Sequence, residues 1–275
     1  MSLAHEITGG NGLRLVAHEF GDPTGPAVLL IHGFTQSHLS WSAQFNSDEL
    51  SHCRLVAMDI RGHGDSEKPL EPENYNDAKR WADDVDAVIT QLDLDKPVVS
   101  GWSYGGFIIN DYVEHHGDAK LGGINFVAAA AKLDETYEHL GPGFLENAGA
   151  MTDPDLATQI GGIRSFLRAC YAIQPSEEDF EVALAFNMVV PPAVRAGLAG
   201  RALNYEASMA TISVPTLVTV GMQDTVVLPT MGDYIAEHVT NAEVSRYDNA
   251  GHVPFGEDPQ RFNTELAALV ATVNG

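Results

Sequence analysis

The sequence predicts an α/β protein: a mostly parallel sheet of eight strands flanked by helices, with a helical segment inserted between the sixth and seventh strands. Three observations carry this reading. Apolar strand-like runs such as Ala27–Ile31, Val98–Trp102 and Thr216–Val220 recur along the chain, bounded by Gly and Pro. From the third strand onward, most neighbouring runs are separated by helical periodicities, the alternation that builds parallel sheets covered on both faces. Between about Lys132 and Ser208 the alternation stops and only helical patterns remain.

Taken in order, the predicted strands are His5–Thr8, Arg14–Phe20, Val28–His32, Arg54–Asp59, Val98–Trp102, Gly123–Ala129, Thr216–Val220 and Val244–Tyr247. A helix is expected from Tyr75 to Leu92, with Ala78, Trp81, Val85, Val88, Ile89 and Leu92 facing inward and Asp83, Asp84 and Asp86 on the opposite face. Others are expected near Pro229 to His238 and from about Pro259 to Val273, the last with Phe262, Leu266, Leu269 and Val270 facing in. The inserted segment carries helical patterns at Asp155–Tyr171, Glu177–Val189 and Pro192–Asn204, where Pro191-Pro192 suits a rigid helix start. The expected division is therefore residues 1–131 and 209–275 as one core, with 132–208 as a helical unit above it.

The most informative segment is Pro97 to Phe107, an apolar strand followed by Gly101-Trp102-Ser103-Tyr104-Gly105 and an amphipathic helix through Ile108, Ile109 and Tyr112. Such a strand–turn–helix lifts a serine hydroxyl clear of the sheet on a strained turn. The residues two before and two after the serine must be small, and the helix N-terminus offers N–H groups to an oxyanion. A serine hydroxyl becomes nucleophilic only when a base removes its proton, and an imidazole oriented by a carboxylate does this best. Asp224 lies just past the seventh strand, and His252 lies on the loop after the eighth. Ser103, Asp224 and His252 thus all fall at C-terminal strand ends, where open α/β sheets place their sites. The third strand runs into His32-Gly33-Phe34, a loop able to offer a second oxyanion N–H.

Five motifs in this order resemble the α/β-hydrolase superfamily over nearly the whole chain: His32-Gly33-Phe34 with Trp41 following, Asp59-Ile60-Arg61-Gly62-His63-Gly64-Asp65-Ser66, Gly101–Gly105, Gly221-Met222-Gln223-Asp224, and Gly251-His252-Val253-Pro254. The resemblance implies the α/β-hydrolase fold, Ser103 as nucleophile, His252 as base, Asp224 as its orienting acid, and the amides of Phe34 and Tyr104 as oxyanion hole. It makes residues 132–208 a cap over the site and implies no cofactor. The expected substrate pocket draws on Trp102, Phe144, Phe166, Met188, Val226 and Val253. For any one cap residue, packing within the cap is the alternative to lining a pocket. Trp102 is likewise expected mainly as a core residue.

Comparison within the superfamily narrows the reaction. Haloalkane dehalogenases and epoxide hydrolases use an aspartate where this chain has Ser103. Carbon–carbon bond hydrolases usually carry a longer Gly/Ser-rich loop after His-Gly and an aromatic after the catalytic histidine, where this chain has Thr35 and Val253. Gly-Trp-Ser-x-Gly-Gly with Asn-Ala-Gly-His-x-Pro-Phe is similar to small carboxylesterases and certain acyl-homoserine lactonases, and the frame also resembles cofactor-free haloperoxidases. The expectation is a serine esterase acting on a small to medium ester. A lactonase is the alternative, and a ligand receptor on the same scaffold is the rival from another class.

Composition agrees with a soluble enzyme. Fifteen basic against 38 acidic residues give a formal charge of −23, which disfavours nucleic acid and anionic membranes as partners. A solubilising acidic surface is the plain reading of that charge, and adaptation to salt the alternative. The N-terminal residues lack a secretory pattern and no apolar run approaches membrane-spanning length, so a cytoplasmic location is expected. Cys53 and Cys170 are expected as buried free thiols. The chain has neither His-x-x-x-His nor Cys-x-x-Cys, and adjacent His115 and His116 diverge on their helix, so no metal site is expected. His32 and His63 are expected to brace their loops, while Asp93 and Asp95 sit at the wrong sheet end to serve as the acid. The oligomeric state is left open by the sequence.

Overall fold

A computed structural model describes residues 3–201 and 203–274. Its strands are β1 (Leu3–Thr8), β2 (Arg14–Gly21), β3 (Ala27–Ile31), β4 (Arg54–Asp59), β5 (Val98–Trp102), β6 (Gly123–Val127), β7 (Lys132–Leu133), β8 (Leu203–Asn204), β9 (Thr216–Gly221) and β10 (Ala242–Tyr247). Eight form one sheet in the order β1-β2-β4-β3-β5-β6-β9-β10. The pairs β1–β2 and β2–β4 are antiparallel, and every other pair in this sheet is parallel. Strands β3 and β5 are entirely buried, as expected of runs covered on both faces. Because β3 lies between β4 and β5, strand order reverses here, and a crevice opens beyond the C-terminal ends of β3 and β5. The loop carrying His32, Gly33 and Phe34 and the turn carrying Ser103 leave the sheet at that crevice.

Several boundaries differ from expectation for local reasons. The sixth strand stops at Val127 because Ala128 turns to φ 41°. The helix after β4 runs Ala78–Gln91, started by Asp77, whose side chain accepts the Lys79 N–H at 3.0 Å. Asp84 is not on its solvent face: it is 1% exposed and accepts Arg61 Nε at 2.7 Å and Nη2 at 2.8 Å. Three residues after Trp81 and four before Val88, position 84 belongs to the apolar face. A buried arginine from the loop after β4 makes a carboxylate tolerable there.

Between β6 and β9 the main helices are Leu156–Cys170, Glu177–Met188 and Pro192–Ala199. The last ends five residues before the expected Asn204, and short helices Pro142–Leu145 and Ala148–Met151 precede the three. This stretch is also not strand-free, since the two-residue strands β7 and β8 pair antiparallel where the chain leaves and rejoins the core. Arg201 and Tyr205, beside that return point, bind Asp111 of the Gly105–His116 helix, Arg201 through Nη1 at 3.0 Å and Nη2 at 2.7 Å. No single described helix is long and apolar enough to cross a membrane; Glu177–Met188 and Pro192–Ala199 reach that length and composition only together, across an 81° bend. Cys53 and Cys170 are both buried free thiols.

Candidate active site

Ser103 follows β5 on a turn with φ 55°, in the left-handed region that carries strain for any residue with a Cβ. The neighbouring glycines explain why this turn closes. A Cβ on Gly101 would stand 2.5 Å from Ile109 Cδ1, and one on Gly105 would stand 2.7 Å from the Ile31 carbonyl oxygen. The turn is fastened by Ser103 N–H donating to Val127 O at 3.0 Å, while Ser103 O accepts from Gly106 N (2.9 Å) and Ala130 N (3.0 Å). Tyr104 occupies the N-cap of the Gly105–His116 helix, so its amide belongs to the first-turn donors that lack an intrahelical acceptor.

Asp224 and His252 are brought together across 28 residues. Asp224 Oδ1 accepts the amides of Val226 (2.7 Å) and Val227 (3.0 Å), and Oδ2 lies 2.7 Å from His252 Nδ1. Both side chains are buried. Since the carboxylate accepts, Nδ1 carries the proton and the neutral ring keeps its lone pair on Nε2. Nε2 is itself buried and has no hydrogen-bond partner among the described residues. The His252 backbone is held from two sides: its N–H donates to Cys170 O and its carbonyl accepts Trp102 Nε1–H, both at 2.7 Å.

The loop after β3 is braced by two neutral histidines. His32 Nε2 accepts Ile60 N–H (3.2 Å) while Nδ1 faces Gly33 O (2.9 Å), and His63 Nε2 accepts Thr35 N–H (3.2 Å) while Nδ1 faces Arg61 O (2.9 Å). Each ring must therefore be neutral and protonated on Nδ1. Burial lowers the pKa of His32 to about 4 and that of His63 to about 3. Thr35, held by His63, has φ 64°, a second strained non-glycine residue beside the crevice.

A cavity of about 50 Å³ opens at Ser103, room for a few waters, and its other walls are Phe34, Tyr104, Phe107, Ala130, Leu133, Leu140, Phe144, Phe166, Leu198, Ala199, Val226 and Val227. Apart from the Ser103 and Tyr104 hydroxyls, every lining side chain is apolar. Phe34, Phe144 and Phe166 meet edge to face, with ring centroids 5.8 to 6.4 Å apart and interplanar angles of 78° to 90°. Of the expected pocket residues, Phe144, Phe166 and Val226 line this cavity, whereas Trp102, Met188 and Val253 stand outside its lining. Trp102 instead packs its ring against Phe255 and supports the His252 loop. The Tyr104 hydroxyl is directed to Leu198 O at 3.4 Å.

Two residues here have no counterpart in the sequence reading. Asn187, fully buried in the Glu177–Met188 helix, accepts the Thr35 hydroxyl and donates to Gln36 Oε1 at 3.3 Å. Glu257 accepts Gly251 N–H (2.8 Å) with one oxygen, and the amides of Ala172 (2.9 Å) and Ile173 (2.7 Å) with the other. Asn187 reaches Gln36 across 151 residues and Glu257 reaches Ala172 across 85, beyond any local pattern.

The family model for the alpha/beta hydrolase fold matches residues 26–259. The chain belongs to the α/β-hydrolase family. It is similar to a crystal structure assigned as an aryl esterase from Burkholderia cenocepacia, with 32% identity, TM-score 0.94, and 98% of this chain and 99% of that one covered. An esterase from Rhodococcus sp. ECU1013 is similar at 27% identity and TM-score 0.89, over 98% and 99% of the two chains. Among curated proteins, the AB hydrolase superfamily protein YisY of Bacillus subtilis (strain 168) is 24% identical over 96% of this chain and 98% of its own.

Proposed function

We propose that this protein is a serine hydrolase of small to medium carboxylic esters, with Ser103 as nucleophile, His252 as base and Asp224 as orienting acid. The supporting observation is the Asp224–His252 hydrogen bond at 2.7 Å, which leaves a buried, unpartnered Nε2 in a fold whose serine turn opens on an apolar cavity. The esterase structures at 32% and 27% identity support the same substrate class.

In this reading His252 Nε2 takes the Ser103 proton as Oγ attacks the ester carbonyl. The new oxyanion is held by the amides of Phe34 and Tyr104, donors already fixed before the charge develops. Collapse expels the alkoxide, which leaves with the proton from Nε2, and water attacks the acyl-enzyme by the same route. Asp224 keeps Nδ1 protonated and offsets the transient imidazolium charge. Each step uses only these side chains and water, so no cofactor is required. Residues 132–208 act as the cap: Phe144 and Phe166 close over the acyl group from above while Phe34 meets them from the core.

The small, apolar cavity favours an uncharged, compact acyl group. Turnover of p-nitrophenyl esters by acyl length, run beside a panel of lactones, tests this. kcat/KM is expected to peak at short to medium acyl chains. A maximum on long-chain emulsified triglyceride overturns the size reading, and faster turnover of lactones than of any open ester makes the protein a lactonase.

A further inference from the structure

The loop that carries His252 is held by the sheet on one side and by the helical stretch between β6 and β9 on the other. On the sheet side, Trp102 Nε1–H donates to the His252 carbonyl at 2.7 Å. On the other side the loop lies along residues 170–173, where the Leu156–Cys170 helix ends. His252 N–H donates to Cys170 O at 2.7 Å. The two backbones touch there: a Cβ on Gly251 would stand 2.8 Å from Ala172 N and 2.9 Å from Cys170 O.

One carboxylate spans this junction. Glu257 Oε1 accepts Gly251 N–H at 2.8 Å, and Oε2 accepts the amides of Ala172 at 2.9 Å and Ile173 at 2.7 Å. Both oxygens are therefore used, by donors from two separate segments, and bonds from amides to an ionised carboxylate are stronger than neutral ones. The side chain starts from a fixed point, since Glu257 closes the short helix Pro254–Glu257 and its own N–H donates to Val253 O at 2.9 Å. The helix whose end is clasped also carries Phe166, a wall of the cavity at Ser103.

We propose that Glu257 is a positioning residue for His252. Its carboxylate clasps the loop of the base to the end of the Leu156–Cys170 helix and so fixes where Nε2 stands relative to Ser103. The inference rests on the reading of His252 as general base. Asp224 sets the tautomer through Nδ1, but one hydrogen bond leaves the ring free to swing about it. Glu257 removes that freedom from the backbone side, and it keeps the base and the Phe166 wall at one spacing.

The test compares Glu257→Gln, which keeps the shape of the side chain but sets an NH₂ group against one set of amides, with Asp118→Asn. Asp118 likewise fastens backbone, accepting the amides of Ser213 and Val214, but it lies beyond the far end of the Gly105–His116 helix, about 18 Å along that helix from Ser103. In Glu257→Gln, kcat for a p-nitrophenyl ester should fall by about 10–100-fold, as a misplacement near 1 Å does, with KM little changed. Fluorophosphonate labelling should slow in step, and the plateau of the pH–rate profile should drop without a shift of its midpoint. Asp118→Asn should keep wild-type kcat. A readout that needs no substrate is the downfield proton resonance of His252 Nδ1–H, bonded to Asp224 and assigned by its absence from His252→Gln. It should be sharp in the wild type and in Asp118→Asn, and broadened by solvent exchange in Glu257→Gln. If that variant does not fold, Gly251→Ala, which pushes the same loop off Ala172, takes its place with the same expected losses. Wild-type kcat, a sharp resonance, or a loss seen only as a shifted pH midpoint overturns the proposal. If the wild type hydrolyses no ester, the esterase reading fails and the resonance alone decides whether Glu257 holds the ring.

Discussion

In the sheet-bearing part of the molecule, the polar groups around the crevice are tied down by backbone. His32 and His63 each accept an amide and face a carbonyl, and Asp224 accepts two amides before it meets His252. The helical stretch from 132 to 208 is also tied to the core by backbone, through Gly141 N–H to Val226 O (3.0 Å), Gly143 N–H to Thr225 O (2.8 Å) and Leu228 N–H to His139 O (2.8 Å), but single buried side chains hold it together internally. Arg195, fully buried, has no carboxylate among its partners and binds the carbonyls of Met151 (2.9 Å) and Asn187 (3.0 Å). Burial without a counter-ion lowers its pKa to about 10. Asn187 in turn carries the link to Thr35 and Gln36. Backbone therefore fixes the polar groups of the crevice in the core, whereas the polar link from the helical stretch to the loop after β3 runs through the buried side chain of Asn187. Changes in the core should cost stability, and a change at Asn187 should cost activity first.

The largest expected effect lies in the core. Asp84→Ala leaves Arg61 buried without its carboxylate and should destabilise folding by about 3–5 kcal/mol, read by urea denaturation. A loss below about 1 kcal/mol, typical of an exposed ion pair, would contradict the core placement.

Acid sensitivity comes next and is carried by the two histidines that brace the loop after β3. Unfolded, His32 and His63 take up protons near pH 6.5, whereas folded they resist until about 4 and about 3. Between these values the unfolded state binds more protons. Their stabilising contribution is whole above pH 6.5 and lost as pH falls, by up to about 1.4 kcal/mol per pH unit for each ring. The urea midpoint should fall steadily from pH 7 to pH 4.5, a window above most carboxylate titration. A flat midpoint across that window would show that the rings are not held neutral.

The smallest stability change is expected at the Asn187 contact. Asn187→Ala unpairs the Thr35 hydroxyl and leaves Gln36 Oε1 with Ser40 Oγ alone (3.2 Å), costs roughly 1–3 kcal/mol, and lets the strained loop shift. A misplaced loop amide should lower kcat by about 10–100-fold, near the loss of one oxyanion donor, with KM little changed. Wild-type kcat in this variant would mean that Asn187 does not position the loop.

The same contrast explains what was legible in the sequence. The strands and the serine turn rest on local pattern, since Gly101, Ser103 and Gly105 must sit where sterics demand, and β4 and β5 fall on their expected residues. Asp84 was half legible: its spacing from Trp81 and Val88 marks the apolar face, but only the fold brings Arg61 to it. Asn187 and Glu257 left little local signal, because Asn187 meets Gln36 across 151 residues and Glu257 meets Ala172 and Ile173 across 85 and 84. Trp102 was expected mainly as a core residue, with a pocket wall as the alternative. Side chains alternate along β5, and residue 102 turns to Phe255 and the His252 carbonyl instead.

The central claim is that Ser103 is activated by the Asp224–His252 pair, and it is tested most directly by steady-state ester hydrolysis with Ser103→Ala. The variant should fold with an unchanged urea midpoint, fail to react with a fluorophosphonate probe that labels the wild type, and lose on the order of 10⁴-fold or more in kcat, the residue being the work of the oxyanion donors. Near-wild-type turnover by Ser103→Ala, with probe labelling retained, would contradict the account.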